Sequence, residues 1–217
     1  MLTSDRAGCR CKTAVVLPVF YDHPIAAGVF WVAYAVSAAV EVTVAWRSRN
    51  RATGPAELDR GSKRFVVASI WAAFIAGFTL GGAVAGAVIA ESMPLVRWVV
   101  FGVGVALIVL GAGLRQWAIT TLGRFFTLEV RVAEDQPVID SGPYRLVRHP
   151  SYTGALLTFL GIGLALGNWL SLAVLALVPT LGFVRRITVE EQALSAQLGD
   201  SYRRYAATRR RLIPGLW

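Results

Sequence analysis

The stretch Ser141-Gly142-Pro143-Tyr144-Arg145-Leu146-Val147-Arg148-His149-Pro150-Ser151-Tyr152-Thr153-Gly154 is a polar interruption between two very apolar parts of the chain. Pro143 and Pro150 fix φ and disfavour helix at the residue before each of them. Because Pro150 lacks an amide hydrogen, it suits the first turn of a helix, and the apolar residues that follow predict that this helix enters a membrane. An arginine and a histidine beside a helix N-terminus favour an anion. The stretch therefore predicts either an anion-binding loop or an ordinary cationic loop that anchors a helix to lipid headgroups.

The composition indicates an integral membrane protein. Of 217 residues, 55% are hydrophobic and only 16% are charged, whereas soluble domains are about one quarter charged. The net charge of +9 is then typical of contact with lipid headgroups and of membrane topology, and we expect no nucleic-acid partner. Cys9 and Cys11 are too close together for an ordinary disulfide, and the sequence offers no further Cys or His pair for zinc, so no metal site is expected.

The apolar segments predict an all-α, polytopic membrane protein with about five transmembrane helices. Three segments in the first half are long enough to cross the hydrocarbon core: 25–46, 65–90 and 95–119. Gly167 and Asn168 break the later apolar segment, 154–184, into the two arms of a helical hairpin. We therefore divide the chain into residues 1–119, an N-terminal tail and three transmembrane helices, and residues 120–217, which contain the loop, the hairpin and a cytoplasmic C-terminal helix.

Charge predicts the orientation. The loop 47–64 is strongly basic, and basic loops face the cytoplasm. We therefore expect a multi-pass protein of the cell membrane with its N-terminus outside and its C-terminus in the cytoplasm. Glu41 is the single charge of the first span, and an intramembrane carboxylate is a candidate functional residue. It is also near enough to the polar end to snorkel or to pair with Arg47 or Arg49.

A pair of carboxylates, Glu190 and Glu191, follows the hairpin. Because a hairpin returns the chain to the side it left, this pair is expected near residues 148–150. A basic helix N-terminus that faces carboxylates suits a zwitterionic ligand, and Tyr144 and Tyr152 add aromatic faces for a base or a cation. The two glutamates are adjacent, so they must point in different directions. The alternative is an intramolecular cluster of ion pairs that only staples the hairpin.

Five motifs follow one another in the second half: Gly123-Arg124-Phe125-Phe126-Thr127, Gly142-Pro143-Tyr144, Arg148-His149-Pro150-Ser151-Tyr152-Thr153-Gly154, Glu190-Glu191-x-x-Leu194 and Leu198-Gly199-Asp200-x-Tyr202-x-x-Tyr205. This ordered set resembles the isoprenylcysteine carboxyl methyltransferase family, whose relatives include phospholipid N-methyltransferases and bacterial thiol S-methyltransferases. The resemblance covers roughly residues 115–214. Residues 1–110 match only as generic membrane helices.

The resemblance implies an integral membrane enzyme that uses S-adenosylmethionine, leaves S-adenosylhomocysteine as product and lacks the soluble methyltransferase fold. The cofactor-binding residues it implies are Tyr144, Leu146, Val147, Arg148, His149, Pro150, Tyr152, Gly154, Glu190 and Glu191. The acceptor would be a lipophilic or small molecule reached from the bilayer. A carboxylate acceptor needs a cation to orient it, for which Arg203 or Arg186 could serve. An amine or thiol must lose a proton, for which His149 or Glu190 could serve.

Two other functions are compatible with the sequence. One is an NADPH-dependent membrane reductase of the sterol-reductase type, in which the arginine-rich C-terminal tail would meet the 2′-phosphate. Glu190 and Glu191 argue against it, because adjacent carboxylates repel a diphosphate. The other is a membrane protein without catalytic activity that binds lipids or a partner. The identity of the acceptor is not fixed by the sequence.

Overall fold

The computed structural model describes residues 18–51, 59, 61–83, 87–90, 92–133 and 135–215. Within these ranges the chain forms six α-helices: α1 (Val19–Asp22), α2 (Pro24–Arg51), α3 (Ser62–Ala83), α4 (Pro94–Leu122), α5 (Pro150–Leu166) and α6 (Trp169–Thr208). Two short 3₁₀ helices, Gly123–Phe125 and Gly142–Arg145, precede and begin the polar loop. No β-strand occurs in these ranges, and the prediction of an all-α protein is confirmed for them. Cys9 and Cys11 lie outside the described residues.

Four helices are long and apolar enough to cross a membrane, in the segments Pro24–Trp46, Ser62–Leu80, Pro94–Phe125 and Trp169–Thr208. Helix α5 is apolar but has only 17 residues, so its crossing, and with it the count of five, stays a prediction. The predicted second span, 65–90, was too long. Helix α3 ends at Ala83, and Val88 instead forms a β-bridge with Asn168 at the hairpin tip. Hydropathy cannot distinguish an apolar helix from an apolar turn that packs against a neighbour.

The closest helix contact joins α4 and α5 through two pairs of glycines. Gly111 faces Gly154, and a Cβ added to Gly111 would lie 2.5 Å from the Gly154 carbonyl oxygen. Gly104 faces Gly161 about two turns further along, with the same clearance between a Gly161 Cβ and the Gly104 oxygen, 2.5 Å. Small residues let two backbones approach this closely. The contact fixes α5 against the middle of α4.

The hairpin between α5 and α6 turns where the sequence predicted. Gly167 has a left-handed conformation, φ 65°, and the Asn168 side chain caps α6 by accepting hydrogen bonds from two backbone amides of its first turn, at 2.9 and 3.1 Å. Next to the cap, the Ser171 hydroxyl donates to the Gly77 carbonyl of α3 at 2.7 Å. Gly77 is buried against Leu175 of α6, where a Cβ would lie 2.8 Å from the leucine side chain.

An irregular segment, 126–141, crosses the opposite end of the helices from the hairpin tip. The period-two pattern at 125–132 allowed a short extended piece, and the segment is irregular without a strand partner in the described part of the chain. Side chains of α2, of α3 and of the residues before α3 hold it instead. The Leu128 amide donates to Ser48 at 2.7 Å, the Val130 amide to Asp59 at 3.1 Å, and the Lys63 ammonium pairs with Glu129 at 3.0 Å.

Candidate functional site

A cleft lies at this polar end, between the irregular segment, the start of α5 and the second half of α6. It encloses about 840 Å³ of empty space, part of it open to solvent. Part of its lining is apolar and includes Leu122, Phe125, Phe126, Val138 and Ile139. Another part is polar or aromatic and includes Tyr144, Arg148, His149, Tyr152, Arg186, Glu190, Tyr202 and Tyr205. The cleft thus offers both polar and apolar contacts.

The loop before α5 is fixed at both ends. His149 is the N-cap residue of α5 and Pro150 stands in its first turn, as predicted. The C-terminal tail then runs beside the loop, where the Arg148 and His149 amides donate to the carbonyls of Arg210 and Arg211 at 2.8 and 3.0 Å. The Thr153 hydroxyl also donates to the tail, to the carbonyl of Leu212, at 2.8 Å. The polar side chains of the loop therefore project from a backbone that has little freedom.

Glu191 sits at the centre of a cluster of cations. One of its oxygens lies 3.2 Å from an Arg148 nitrogen and 3.1 Å from His149 Nε2. The other accepts two hydrogen bonds from the Arg211 guanidinium, at 3.1 and 2.9 Å. Both oxygens of Glu191 are therefore bound within the protein, and this carboxylate joins α6, the loop and the tail.

Glu190 faces the cleft. Its Oε2 accepts a hydrogen bond of 2.7 Å from the Tyr152 hydroxyl, and that hydroxyl also accepts one of 3.3 Å from Arg186. Its second oxygen, Oε1, accepts no hydrogen bond from the described residues. The predictions that the two glutamates point in different directions and that they lie beside residues 148–150 are both confirmed.

The His149 ring is almost fully buried and stacks on Tyr152, with the ring centres 5.7 Å apart. Tyr152 in turn stacks on Phe183 at 5.1 Å. Because Glu191 is a carboxylate held by two guanidiniums, it acts as the acceptor, so Nε2 of His149 carries a proton and donates it. The ring is thereby fixed in orientation and in tautomer at that nitrogen.

Arg186 connects the cleft to the first half of the chain. Its guanidinium donates to Asp59, to the Ser62 hydroxyl at 2.8 Å and to the Leu128 carbonyl at 2.6 Å. Burial alone would raise the pKa of Asp59, but hydrogen bonds from the Lys63 and Val130 amides and the charge of Arg186 outweigh it. The pKa of Asp59 is therefore lowered.

A second ion pair lies between helices, with a buried arginine and a half-exposed glutamate. Arg115 of α4 donates two hydrogen bonds to Glu41 of α2, one of them at 2.8 Å, and donates to the Ser151 hydroxyl, also at 2.8 Å. Arg115 was missed by the sequence analysis, which considered only Arg47 and Arg49 as partners for Glu41. The signal was available, because one acid and one base within apolar spans are expected to pair.

Of the ten predicted cofactor-binding residues, the structure brings five into the cleft; the other five, and Arg203, lie outside its lining. Those that line it are Tyr144, Arg148, His149, Tyr152 and Glu190. Those that do not are Leu146, which is 61% exposed, Val147 and Pro150, which are buried, Gly154, which packs on Gly111, Glu191, and Arg203, which is exposed and pairs with Asp200. Arg186, the other arginine considered for a carboxylate acceptor, lines the cleft. The roles of all these residues stay predictions.

Tyr202 and Tyr205 were quoted as part of a motif but given no role, and both line the cleft. The Tyr205 hydroxyl donates to the Tyr144 carbonyl at 2.8 Å, which fixes the 3₁₀ turn. Burial raises the pKa of the Tyr144 hydroxyl, which keeps it a protonated donor. Two buried polar atoms at the cleft have no partner among the described residues, the Tyr202 hydroxyl and Nε of Arg148.

Comparison with known proteins places the similarity in the part of the chain that builds the cleft. The phospholipid methyltransferase family model matches residues 99–201. A probable protein-S-isoprenylcysteine O-methyltransferase from Oryza sativa subsp. indica is 40% identical over 111 residues, which are 50% of this chain and 58% of that protein. Protein-S-isoprenylcysteine O-methyltransferase B from Arabidopsis thaliana is 37% identical over 112 residues, 51% of this chain and 57% of that protein. The matched part therefore spans less than three fifths of the length of these curated relatives.

A solved structure supports the same assignment. It is described as the eukaryotic intramembrane Ras methyltransferase, isoprenylcysteine carboxyl methyltransferase, and it aligns with 69% of this chain and 52% of its own, at 25% identity and a TM-score of 0.56. The resemblance found in the sequence is confirmed: residues 99–201 match the phospholipid methyltransferase family model, and the curated relatives and the solved structure to which the chain is similar are named isoprenylcysteine methyltransferases.

Proposed function

We propose that the protein is an integral membrane methyltransferase that moves a methyl group from S-adenosylmethionine to a lipophilic acceptor. One observation carries the proposal: the cleft gathers groups of opposite character that lack protein partners. Nε of Arg148 and the Tyr202 hydroxyl are buried without a hydrogen-bond partner among the described residues, and Oε1 of Glu190 accepts no hydrogen bond from them. Buried polar groups are almost always hydrogen-bonded, so the two buried groups indicate a ligand. The family assignment supports a methyl donor as that ligand.

The donor set fits S-adenosylmethionine. Its α-ammonium or its ribose diol would meet the free oxygen of Glu190, and its α-carboxylate would accept hydrogen bonds from Arg148 and Tyr202. Glu191 would not contact it, because both oxygens of Glu191 are already bound by His149 and the arginines. The part of Glu191 is then to hold Arg148 and His149 in place.

When bound, S-adenosylmethionine supplies an electrophilic methyl group on its sulfonium. The task left to the protein is to hold the donor and acceptor in line. Tyr152 is suited to this task, because Glu190 and Arg186 fix its hydroxyl while Phe183 fixes its ring. The apolar part of the lining, around Phe125 and Phe126, would receive a lipophilic chain and exclude water.

For the acceptor, we propose the carboxylate of a prenylated cysteine, because the matched relatives are named for that substrate. A carboxylate needs no base but needs a cation, and of the two arginines considered, Arg186 is the one at the cleft. An amine or thiol acceptor would need Glu190 or the Nδ1 atom of His149 as base, since Nε2 of His149 donates to Glu191.

Calorimetry on the detergent-purified protein tests the cofactor. We expect S-adenosylhomocysteine to bind in the micromolar range that is typical of enzyme ligands, about 1 μM to 1 mM, and NADPH not to bind. Methyl transfer from labelled S-adenosylmethionine to a farnesylated cysteine derivative, compared with the same compound as its amide, then tests the acceptor. Binding of NADPH in place of S-adenosylhomocysteine would favour the reductase. Methylation of a lipid extract but not of the farnesylated compound would replace the acceptor proposal.

We also propose that the cleft faces the cytoplasm, where a soluble cofactor is made, and that the N-terminus lies outside. The sequence support is the basic loop 47–64. The test uses single cysteines at Met93 and at Arg204, in a protein whose native cysteines are replaced. An impermeant maleimide added to whole cells should label the cysteine at Met93 and leave the one at Arg204 unlabelled. Labelling at Arg204 but not at Met93 would reverse the orientation.

A further inference from the structure

A second cavity lies against residues 206–211, at the end of α6 and the start of the C-terminal tail. It encloses about 740 Å³ of empty space, part of it open to solvent, and four arginines line it: Arg148, Arg209, Arg210 and Arg211. The remaining lining, residues 206–208, is two alanines and a threonine. We call this space the arginine cavity. Its lining contains no acidic residue.

The charges around the arginine cavity are unequal. One carboxylate, Glu191, pairs with Arg148 and Arg211 from the side of the cleft. Nε of Arg209 is buried and has no hydrogen-bond partner among the described residues. Four guanidiniums around one space repel one another unless an anion joins them. Guanidinium donors match the oxygens of a phosphate in pairs, which makes a phosphate group the natural anion here.

Two exposed apolar side chains flank the cavity along the chain. Leu146 lies two residues before Arg148 and is 61% exposed, and Ile213 lies two residues after Arg211 and is 50% exposed. The tail is also tied to the first turn of α5, through the bond from Thr153 to Leu212. Helix α5 is apolar from there on, so the cavity lies at the level where the chain enters the membrane. Arginines beside exposed apolar residues are typical of a protein surface at lipid headgroups.

We propose that the arginine cavity binds the phosphate group of an anionic phospholipid, with Leu146 and Ile213 against the upper part of its acyl chains. A free phosphate ion offers the same oxygens to the arginines but nothing to these two apolar side chains. An anionic headgroup is favoured over a zwitterionic one because phosphatidylcholine brings its own cation to a site that already has four.

Occupancy would reach the cleft through shared residues. Arg148 lines both spaces, and Arg211 lines the arginine cavity while it holds Glu191. An anion that bridges the tail arginines would stabilise the pairing of the tail with the loop. The backbone bonds from Arg148 to Arg210 and from His149 to Arg211 would then open less often.

Titration of the detergent-purified protein with dioctanoyl phosphatidylglycerol, dioctanoyl phosphatidylcholine and inorganic phosphate tests the proposal. The cavity variant is Arg209→Gln with Arg210→Gln. The control is Arg64→Gln with Arg204→Gln, which removes the same charge from two exposed arginines outside the cavity. We expect phosphatidylglycerol to bind at least about tenfold more tightly than the other two, and the cavity variant, but not the control, to lose about tenfold or more.

Equal losses of affinity for phosphatidylglycerol in the two double variants would overturn the proposal, because binding would then depend only on the overall charge. Inorganic phosphate that binds as tightly as phosphatidylglycerol would overturn the lipid as the source of the phosphate. If the cavity variant fails to fold, hydrogen exchange on the unaltered protein replaces it. Phosphatidylglycerol should slow exchange of the Arg148 and His149 amides, and unchanged exchange at saturating lipid would overturn the proposal. None of these measurements depends on methyl transfer.

Discussion

The two halves of the chain contribute to the cleft in different ways. Among the described residues, every one that lines it lies between Leu122 and Tyr205. The first half contributes no lining, yet Ser48, Asp59, Ser62 and Lys63 hold the lining from behind. The family match, residues 99–201, covers all of the lining except Tyr202 and Tyr205 and omits this support. The comparison teaches that the part which meets a ligand can be recognised in the sequence, whereas the part that holds it in place cannot.

Asp59→Ala should have the largest effect, because it removes the support while leaving the lining intact. It leaves the Arg186 guanidinium buried without its ionic partner, and breaking a buried pair costs about 3–5 kcal/mol. We expect a large fall in the thermal midpoint in detergent. Asp135→Ala is the matched control, because its pair with Arg124 is exposed and worth less than about 1 kcal/mol. Equal midpoints for the two variants would show that the first half does not support the cleft.

The same residue predicts a dependence on pH. The pKa of Asp59 is lower in the folded protein than its ordinary value of 3.8, so the stability it contributes is complete above that value. It is lost as the pH falls below 3.8 towards the folded-state pKa. Thermal midpoints measured down this range should fall more steeply for the unaltered protein than for Asp59→Asn. Parallel curves would mean that Asp59 is not held as an anion.

Gly111→Ala tests the close packing of α4 on α5, in the half of the chain that lines the cleft. The added Cβ would lie 2.5 Å from the Gly154 carbonyl oxygen and 2.7 Å from the Thr158 amide nitrogen, so α4 and α5 must separate. Such overpacking costs about 1–3 kcal/mol. Gly113→Ala, on the same helix with nothing within 4 Å of the new Cβ, should be neutral or slightly stabilising. Equal thermal midpoints for the two variants would refute the close α4–α5 contact.

Glu190→Gln and Glu191→Gln compare two carboxylates of the half that lines the cleft, one facing a ligand and one holding the structure together. Glu190 has an oxygen free for a ligand, so its change should weaken S-adenosylhomocysteine binding about tenfold or more while the thermal midpoint changes little. Glu191 has both oxygens bound within the protein, so its change should lower the midpoint first. Calorimetry and thermal unfolding on both variants separate the two roles. The reverse result would exchange the roles that we assign to these residues.

Arg203→Gln should have the smallest effect. Arg203 is exposed and pairs with Asp200 three residues earlier, a contact worth at most about 0.5 kcal/mol. We expect unchanged cofactor binding and an unchanged midpoint. Methyl transfer that is also unchanged would remove Arg203 from the catalytic candidates. A loss of turnover alone would show that this part of α6 approaches the acceptor during the reaction.

The sequence predicted the elements that depend on local chemistry. Pro150 at a helix start and the turn at Gly167 and Asn168 both follow from residues with narrow conformational preferences. The sequence also predicted that Glu190 lies near the loop before α5, because a hairpin returns the chain to the side that it left. These predictions needed no knowledge of distant contacts.

The sequence did not predict the contacts that join distant segments. Asp59 and Arg186 are separated by 127 positions, and Glu41 and Arg115 by 74. For Asp59, nothing in the local pattern selects one partner among the many charges at a polar end. For Glu41, the available signal was only that an acid and a base within apolar spans are expected to pair. The pairing of the tail with the loop was missed for the same reason, since residues 209–212 read only as a basic tail.

That pairing has a consequence for how the protein is made. Chains are synthesised from the N-terminus, and their parts fold as they emerge. Residues 148, 149 and 153 are synthesised well before residues 210–212, whose carbonyls accept their hydrogen bonds. Until that part of the tail is made, the loop lacks these partners, and its side of the cleft is not yet fixed.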